Sequence, residues 1–202
     1  LAATFERSEE TYGHWEENFH HNIKLSHHLI SILRNCPNLK RVVNASSYLI
    51  YDKNLYQFTS PQDKPYKLKE SDPINPRNLT GLSKLGHEIE LEFLSKFKSD
   101  KFSSISARIY RGYGTNSRDI ISRWIRALLN KEEIIIYNDE GFFDYMYAQE
   151  TATGLIKLAE SDISGVINLG TGKARQVRDV VDILLKHFPE MKYKRINKKD
   201  EL

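Results

Sequence analysis

The chain has 202 residues, enough for a sizeable hydrophobic core, with 40% apolar and 28% charged residues and a net charge of +3. The mild, interspersed charge argues against a nucleic-acid partner, and no apolar run reaches the ~18 residues of a membrane span, which argues against a membrane. The one cysteine, Cys36, excludes an internal disulfide framework and suits a reducing, cytoplasmic location.

Helical and strand patterns alternate along the chain, which predicts an α/β protein. The last helix is the clearest, because its apolar residues recur every three or four positions. In chain order the sequence predicts a helix over 15–33, a strand over 40–47, a loop over 52–78, a helix over 81–97, a strand over 103–110, a helix over 121–129, a strand over 133–137, a helix over 150–159, a strand over 165–170 and a helix over 177–185.

This alternation implies a parallel sheet, whose ligands bind at the carboxyl ends of the strands. The candidate site residues are therefore those that follow the strands: Ser46 and Ser47, then 110–114, then 144–147. The basic stretch 192–199 is interpreted as a solvated tail. The histidines have no clean metal spacing, and the G-T-G at 170–172 is a weak candidate phosphate loop.

Ser47 and Lys84 form the most suggestive combination. A hydroxyl at a strand end can hydrogen-bond a reacting oxygen, and a lysine on the following helix can hold a ribose and lower the pKa of a neighbouring phenol. Taken singly, Ser47 is a hydroxyl that satisfies the backbone and Lys84 a solvated lysine. The combination lacks a titratable group between the two.

A series of motifs resembles the extended short-chain dehydrogenase/reductase family, the NAD-dependent epimerases and dehydratases of nucleotide sugars. Each motif is weak alone, but eight occur in the family's order and at family-like spacing. They are L-A-A at 1–3, Asn22, A-S-S-Y-L-I-Y at 45–51, E-S-D-P-I-N-P at 70–76, T-G-L-S-K at 80–84, A-R-I-Y-R-G-Y-G-T at 107–115, F-D-Y-M-Y-A-Q-E-T-A at 143–152 and V-I-N-L-G-T-G at 166–172.

The resemblance implies a partial doubly wound (Rossmann-type) parallel sheet with a small C-terminal substrate lobe. Residues 1–110 would be the C-terminal part of a dinucleotide-binding domain, and 111–202 would mix substrate-lobe and returning Rossmann elements. The implied activity is hydride transfer on a nucleotide sugar by an NAD(P)-dependent epimerase, dehydratase or reductase. The implied assembly is a homodimer formed through the helices near 15–35 and 80–97.

The resemblance also implies roles for individual residues. The catalytic positions are Ser47, Thr80 and Lys84. The positions expected to contact NAD or NADP are Ala2, Ala3, Asn22, Ser46, Lys84 and Tyr110. The positions expected to contact substrate are Tyr48, Arg111, Arg118 and Tyr147.

Thr80 stands where this family has its acid/base tyrosine. Threonine cannot replace it, because its hydroxyl pKa is far above the ~10 of a phenol and its side chain is shorter. Three explanations stay open: activity lost with the fold kept, a base supplied from elsewhere (Tyr48, Tyr51 or Tyr110), or an engineered replacement. The first would make the protein a catalytically silent binding or regulatory module.

Other positions also depart from the family pattern. Arg111 replaces a substrate-contacting asparagine, Phe143 an arginine that grips the diphosphate, Thr115 a proline, and Gln149 and Glu150 a pair of aspartates. The glycine-rich dinucleotide fingerprint is absent from the chain. We therefore expect the chain to begin within the domain, after three strands and two helices, and the family's C-terminal lobe to run past Leu202.

Overall fold

The computed structural model describes residues 12–58, 60–98 and 102–196. Ala2 and Ala3 lie outside the described residues. The chain divides into two compact units: Leu1–Lys53, Leu68–Ile109 and Thr153–Leu169 form the first, and Asn54–Lys67, Tyr110–Ala152 and Gly170–Leu202 form the second. No helix among the described residues is long and apolar enough to cross a membrane.

The secondary structure follows the predicted alternation. In chain order it comprises α1 (Tyr12–Asn18), a π-helical turn (Phe19–Lys24), α2 (Leu25–Arg34), β1 (Arg41–Ser47), α3 (Leu79–Phe97), β2 (Ser103–Ile109), β3 (Arg111–Tyr113), α4 (Ile120–Leu129), β4 (Ile134–Tyr137), β5 (Phe142–Phe143), β6 (Tyr145–Tyr147), α5 (Ala148–Glu160), β7 (Gly165–Leu169), β8 (Arg175–Gln176), α6 (Val177–His187) and β9 (Tyr193–Ile196), with short 3-10 turns at Tyr48–Ile50 and Lys53–Leu55.

The first unit is built on a parallel sheet in the order β1–β2–β7. The register places Ser46 beside Arg108, and Arg108 beside Asn168. Alternate residues of a strand point to opposite faces of a sheet, so these three side chains lie in one row on one face. The fold class predicted from the sequence, a partial doubly wound parallel sheet, is confirmed.

The two faces of this sheet differ in character. Ile105 and Ala107 are fully buried and pack with Leu158 of α5, so this face has an apolar core. The row of Ser46, Arg108 and Asn168 is polar, and its partners come from α3 and from the loop that precedes it. A separate apolar cluster packs α2 against α3. It consists of Ile30, Leu91, Leu94 and Phe102.

The predicted loop over 52–78 is divided between the two units, and its last part, from Leu68, belongs to the first unit and leads into α3. Main-chain hydrogen bonds from Asn75 N to Ile50 O and from Arg77 N to Leu49 O, both 3.0 Å, fix its last part. Asn78 then caps α3 by accepting from Gly81 N at 2.9 Å. The beginning of α3 is therefore held against the turn that follows β1.

In the second unit, α4 and α6 pack on β4 and β9. Ile136 and Val181 are fully buried, and Trp124 donates its indole N–H to Ile135 O at 3.2 Å. The predicted apolar face of α6 is confirmed, since Val177, Val180, Val181 and Leu184 are all buried. Two short strand pairs were not predicted: β3 with β6, parallel, and β5 with β8, antiparallel.

The interpretation of 192–199 as a solvated tail was wrong for its first half. Tyr193–Ile196 forms β9, which pairs with β4 in parallel from Ile134↔Tyr193 to Tyr137↔Ile196. The basic side chains remain outside, where Lys194 pairs with Glu133 at 3.0 Å and Arg195 with Asp139 at 3.2 Å. The charge of the side chains therefore did not predict the backbone conformation. The backbone forms a strand because it pairs with the edge of β4.

We predict that Gly81→Ala destabilises the protein by about 1–3 kcal/mol in urea denaturation. A Cβ at Gly81 would overlap the carbonyl oxygen of Leu49, which is main chain and cannot rotate away. Gly86→Ala, on the same helix, is the matched control, because its Cβ would meet nothing within 4 Å. The control should be neutral or stabilising by up to ~1 kcal/mol, and equal losses in both variants would contradict the close approach.

Candidate active site

The end of β1 places two consecutive serines in different environments. Ser47 caps the 3-10 turn Tyr48–Ile50, and its hydroxyl oxygen accepts from Leu49 N at 3.2 Å. Among the described residues it makes no other side-chain hydrogen bond, so its O–H proton is available to donate. A half-buried hydroxyl with a spare proton suits the predicted role of orienting a reacting oxygen.

Ser46 points to the other face of the sheet, where it is buried and donates to the Glu88 carboxylate. Its hydroxyl is therefore engaged inside the protein. Any contact between Ser46 and a cofactor is left to its main chain.

Glu88 also binds Arg108 through two parallel hydrogen bonds, Nη2 to Oε2 at 2.8 Å and Nε to Oε1 at 3.1 Å. Both side chains are almost fully buried. The Arg108 guanidinium lies 4.6 Å from the centroid of the Tyr51 ring and donates to the Glu70 carbonyl at 3.4 Å. This cluster ties α3, β2 and the loop before α3 together around one buried ion pair.

Tyr51 is unsuited to the role of a substitute base. It is completely buried, its hydroxyl donates to Asn168 Oδ1 at 2.8 Å, and burial raises the pKa of its phenol. Asn168 in turn binds the loop through its main-chain N–H to Glu70 Oε1 and its side chain to Leu68 O. Tyr51 therefore belongs to the structural cluster around Arg108.

Lys84 lies on α3 beside the end of β1 and donates from Nζ to the Ala45 carbonyl at 2.6 Å. Among the described residues no carboxylate pairs with it, and burial lowers the pKa of its ammonium group. Two of its three N–H groups remain for a ligand. The structure thus brings Lys84 and Ser47 to the same end of the same strand.

Thr80 lies in the first turn of α3, one helical turn before Lys84. It is half-buried, and within the described part of the chain its hydroxyl makes no hydrogen bond. Residues four apart on a helix are neighbours, with Cβ atoms about 5–6 Å apart. Thr80 is therefore a neighbour of Lys84 on α3, and it supplies no titratable group there.

Asn22 is buried in the π-helical turn, and its amide donates to Asn18 Oδ1 at 2.7 Å. Its main-chain carbonyl is hydrogen-bonded to Nε2 of His87 at 2.9 Å. Like that of Ser46, its side chain is engaged within the protein. Neither the π-helical turn nor His87 was singled out from the sequence.

The predicted substrate-binding residues fall in both units. Tyr48, in the first unit, is half-buried. In the second unit, Arg111 stacks on the Phe143 ring at 4.0 Å, Arg118 is exposed, and Tyr147 packs against Tyr113 with ring centroids 5.4 Å apart. Tyr110 is half-buried, and Gly170 leaves the space that its ring occupies.

The G-T-G turn does not offer its amides to a phosphate. Asp144 accepts from Thr171 N at 3.0 Å, from Thr171 Oγ1 at 2.6 Å and from Gly172 N at 2.8 Å. A carboxylate already fills the position that an anion would take. Over the residues described, no group of three His, Cys, Asp or Glu side chains is placed to hold a metal ion.

The model of the NAD dependent epimerase/dehydratase family matches residues 1–170. The chain belongs to this family. No curated protein sequence matches the chain closely enough to add to this assignment.

Solved structures agree with the fold of this epimerase/dehydratase chain. A UDP-N-acetylglucosamine 4-epimerase from Methanobrevibacter ruminantium M1, in complex with UDP-N-acetylmuramic acid, is 27% identical with a TM-score of 0.74, over 90% of this chain and 58% of that one. MoeE5, in complex with UDP-glucose and NAD, is 25% identical with a TM-score of 0.73, over 94% and 62%. A UDP-N-acetylglucosamine 4-epimerase from Bacillus cereus is 24% identical with a TM-score of 0.75, over 98% of this chain and 67% of that one.

The chain spans about three fifths of the length of the first two structures. The match therefore establishes the family and the fold of this part.

We predict that Glu88→Gln destabilises the fold by about 3–5 kcal/mol, because it leaves the Arg108 charge buried without a counter-charge. Glu92→Gln is the matched control on the same helix, since Glu92 pairs with Lys96 at 2.7 Å in an exposed position. The control should change the free energy of unfolding by no more than about 0.5 kcal/mol. Similar urea midpoints for the two variants would show that the buried pair is not what holds α3 to the sheet.

Proposed function

We propose that this chain carries the catalytic serine and lysine of an NAD(P)-dependent epimerase, dehydratase or reductase of nucleotide sugars. The observation that carries the proposal is the convergence of Ser47 and Lys84 at the end of β1, each with hydrogen-bond donors to spare. The UDP-sugars and the NAD bound in the matched structures support the substrate class and the cofactor.

The residues present fit the nicotinamide end of such a cofactor. The two spare N–H groups of Lys84 match a pair of ribose hydroxyls, and the Ser47 O–H matches the oxygen of a reacting hydroxyl or carbonyl. When bound, the dinucleotide supplies hydride acceptance and return. Lys84 holds and orients the ribose, and Ser47 polarises the reacting oxygen. The family resemblance adds Ala2, Ala3, Asn22, Ser46 and Tyr110 as further proposed cofactor contacts.

In the second unit we propose a substrate lobe. In this unit Arg111 and Arg118 supply positive charge for a diphosphate, and Tyr147 supplies aromatic and hydroxyl contacts to the sugar. Tyr48, which belongs to the first unit, is proposed as a further substrate contact. The stacking of Arg111 on Phe143 holds its guanidinium in one orientation. The first unit would be part of the dinucleotide-binding domain.

Thr80 supports a second candidate function, a silent binding or regulatory module. A threonine hydroxyl can relay a hydrogen bond, but it cannot hold a negative charge near neutral pH. If no other group takes the proton, the site binds cofactor and sugar without turnover. The scaffold that surrounds Thr80 is otherwise intact, so both functions use the same residues.

We predict that Thr80→Tyr in the full-length protein raises NAD(P)-dependent turnover of UDP-sugars by about 10²–10⁴-fold, the usual contribution of a positioned acid/base. Thr80→Phe is the matched control, because it adds a ring without the hydroxyl. Cofactor binding to all three proteins should be measured by calorimetry, so that a loss of binding is not mistaken for a loss of chemistry. Equal rates in the tyrosine and phenylalanine variants would contradict the assignment of position 80.

We also propose a homodimer formed through α1–α2 and α3. An exposed stripe of apolar residues and glycine on α3 repeats at intervals of four, three, four and four residues, as in helices that pack together. Its members are Leu82, Gly86, Ile89, Phe93 and Phe97. On the neighbouring helices Phe19, Leu25 and Ile32 are also exposed.

We predict that Phe93→Asp converts the full-length protein to a monomer in sedimentation equilibrium, because a carboxylate would be buried in the packed stripe. Phe93 is 52% exposed in the single chain. Leu129→Asp, at a 66% exposed position on α4, is the control and should leave the assembly unchanged. A dimer that survives Phe93→Asp would place the interface elsewhere.

A further inference from the structure

Asn168, near the end of β7, makes three hydrogen bonds to parts of the chain that are distant in sequence. Its main-chain N–H donates to Glu70 Oε1 at 2.8 Å, and its side-chain amide donates to the Leu68 carbonyl at 3.0 Å. Its side-chain oxygen accepts from the Tyr51 hydroxyl at 2.8 Å. One residue of β7 thereby holds both the segment before α3 and the chain that follows β1.

The segment 68–77, which leads into α3, is also held by the turn that follows β1. Three main-chain hydrogen bonds of 3.0 Å join the segment to this part of the chain: Asp52 N to Pro73 O, Asn75 N to Ile50 O, and Arg77 N to Leu49 O. Asn168 therefore fixes the beginning of the segment, and the turn after β1 fixes its end.

The same turn sets the direction of the Ser47 hydroxyl. Ser47 Oγ accepts from the Leu49 N–H at 3.2 Å, so the direction of its remaining O–H proton depends on where Leu49 lies. The Leu49 carbonyl accepts from Arg77 N, and Gly81 approaches this carbonyl so closely that a Cβ would overlap it. The orientation of Ser47 thus depends on the segment that Asn168 holds.

We propose that Asn168 is a positioning residue for Ser47; this rests on the hydride-transfer function proposed above. Asn168 reaches the turn by two routes, directly through the Tyr51 hydroxyl and indirectly through the segment 68–77. Tyr51 is completely buried, so its ring has no free space into which it could move. Asn168 exchanges no proton with the substrate and acts only by fixing the turn on which the Ser47 hydroxyl depends.

The chemistry of the amide suits this role. One atom of the Asn168 side chain accepts from a phenol, and the other donates to a main-chain carbonyl. An amide is the side-chain group that can do both without carrying a charge. A carboxylate would face the Leu68 carbonyl with no hydrogen to donate, and an apolar side chain would leave the buried Tyr51 hydroxyl without its acceptor.

Lys84 is held independently of this arrangement. Its ammonium group donates to a carbonyl of β1, and α3 is fixed on the sheet by the ion pair between Glu88 and Arg108. Loss of the Asn168 amide should therefore disturb Ser47 and leave the lysine in place. This difference separates a positioning role from general support of the fold.

The first experiment is amide hydrogen exchange by NMR on the full-length protein without ligands. Asn168→Leu should speed exchange of the Leu49 amide by at least about 10-fold relative to the amides of β2, because the turn opens locally. Ser95→Ala is the matched control: it removes a hydroxyl that binds the Leu91 carbonyl at 2.9 Å and Ser104 Oγ at 2.8 Å, away from the turn. The control should leave that ratio unchanged, and equal ratios in the two variants would overturn the proposal.

A second variant tests the direct route and does not depend on how well Asn168→Leu folds. Tyr51→Phe removes only the hydroxyl that Asn168 accepts and keeps the ring beside Arg108. We expect a smaller increase in Leu49 exchange than in Asn168→Leu. The double variant should exchange no faster than Asn168→Leu alone, because the two changes remove the same contact. Additive effects would show that the residues act independently, against the proposal.

Steady-state kinetics of the full-length protein with NAD(P) and UDP-sugars give the functional readout. Asn168→Leu should lower kcat by about 10–10²-fold with little change in KM, because a misplaced Ser47 affects the reacting oxygen rather than binding. A wild-type kcat in this variant would overturn the role of Asn168. Absence of turnover in the wild type would overturn the proposed function, whereas an unchanged Leu49 exchange ratio in Asn168→Leu would overturn the role of Asn168 alone.

Discussion

The buried ion pair between Glu88 and Arg108 is the interaction on which the first unit depends. Arg108 sits in the central strand of the three, between Ser46 and Asn168, and Glu88 reaches it from α3. Such a pair contributes little net stability by itself, since both charges lose water, but neither partner can move without leaving the other uncompensated. The pair therefore fixes the angle and register of α3 on the sheet more than it adds to the free energy of folding.

The candidate site follows from that constraint. Because Glu88 fixes α3, Lys84 lies one turn nearer the strand end and meets the Ala45 carbonyl, and Thr80 lies one turn further. The same pair takes the Ser46 hydroxyl and thereby leaves Ser47 as the hydroxyl with a proton to donate. The two adjacent serines thus differ in hydrogen bonding, because each one faces a different side of the strand.

Sequence periodicity predicted the helices and strands of this core well, because burial on one face leaves a direct trace in the spacing of apolar residues. It placed Ser47 and Lys84 correctly at a strand end and on the next helix. It could not show the contacts that side chains of the sheet make with α3. Arg108 is the one charged residue in the strand S-S-I-S-A-R-I-Y, and this signal of a buried partner was not used. The pairing of β9 with β4 and the π-helical turn have no local signature, since each depends on what the backbone meets in the folded chain.

At position 80 the elements of the fold are present, but the residue type that the chemistry requires is not. Every element that would position a phenol there is in place: the Asn78 cap, the close approach of Gly81 to Leu49, and the lysine one turn on. The cap, the close approach and the lysine contact are all made by residues other than Thr80, so the fold around position 80 does not depend on the side chain that stands there. A substitution at position 80 alone therefore changes the chemistry of the site without altering the elements that position it.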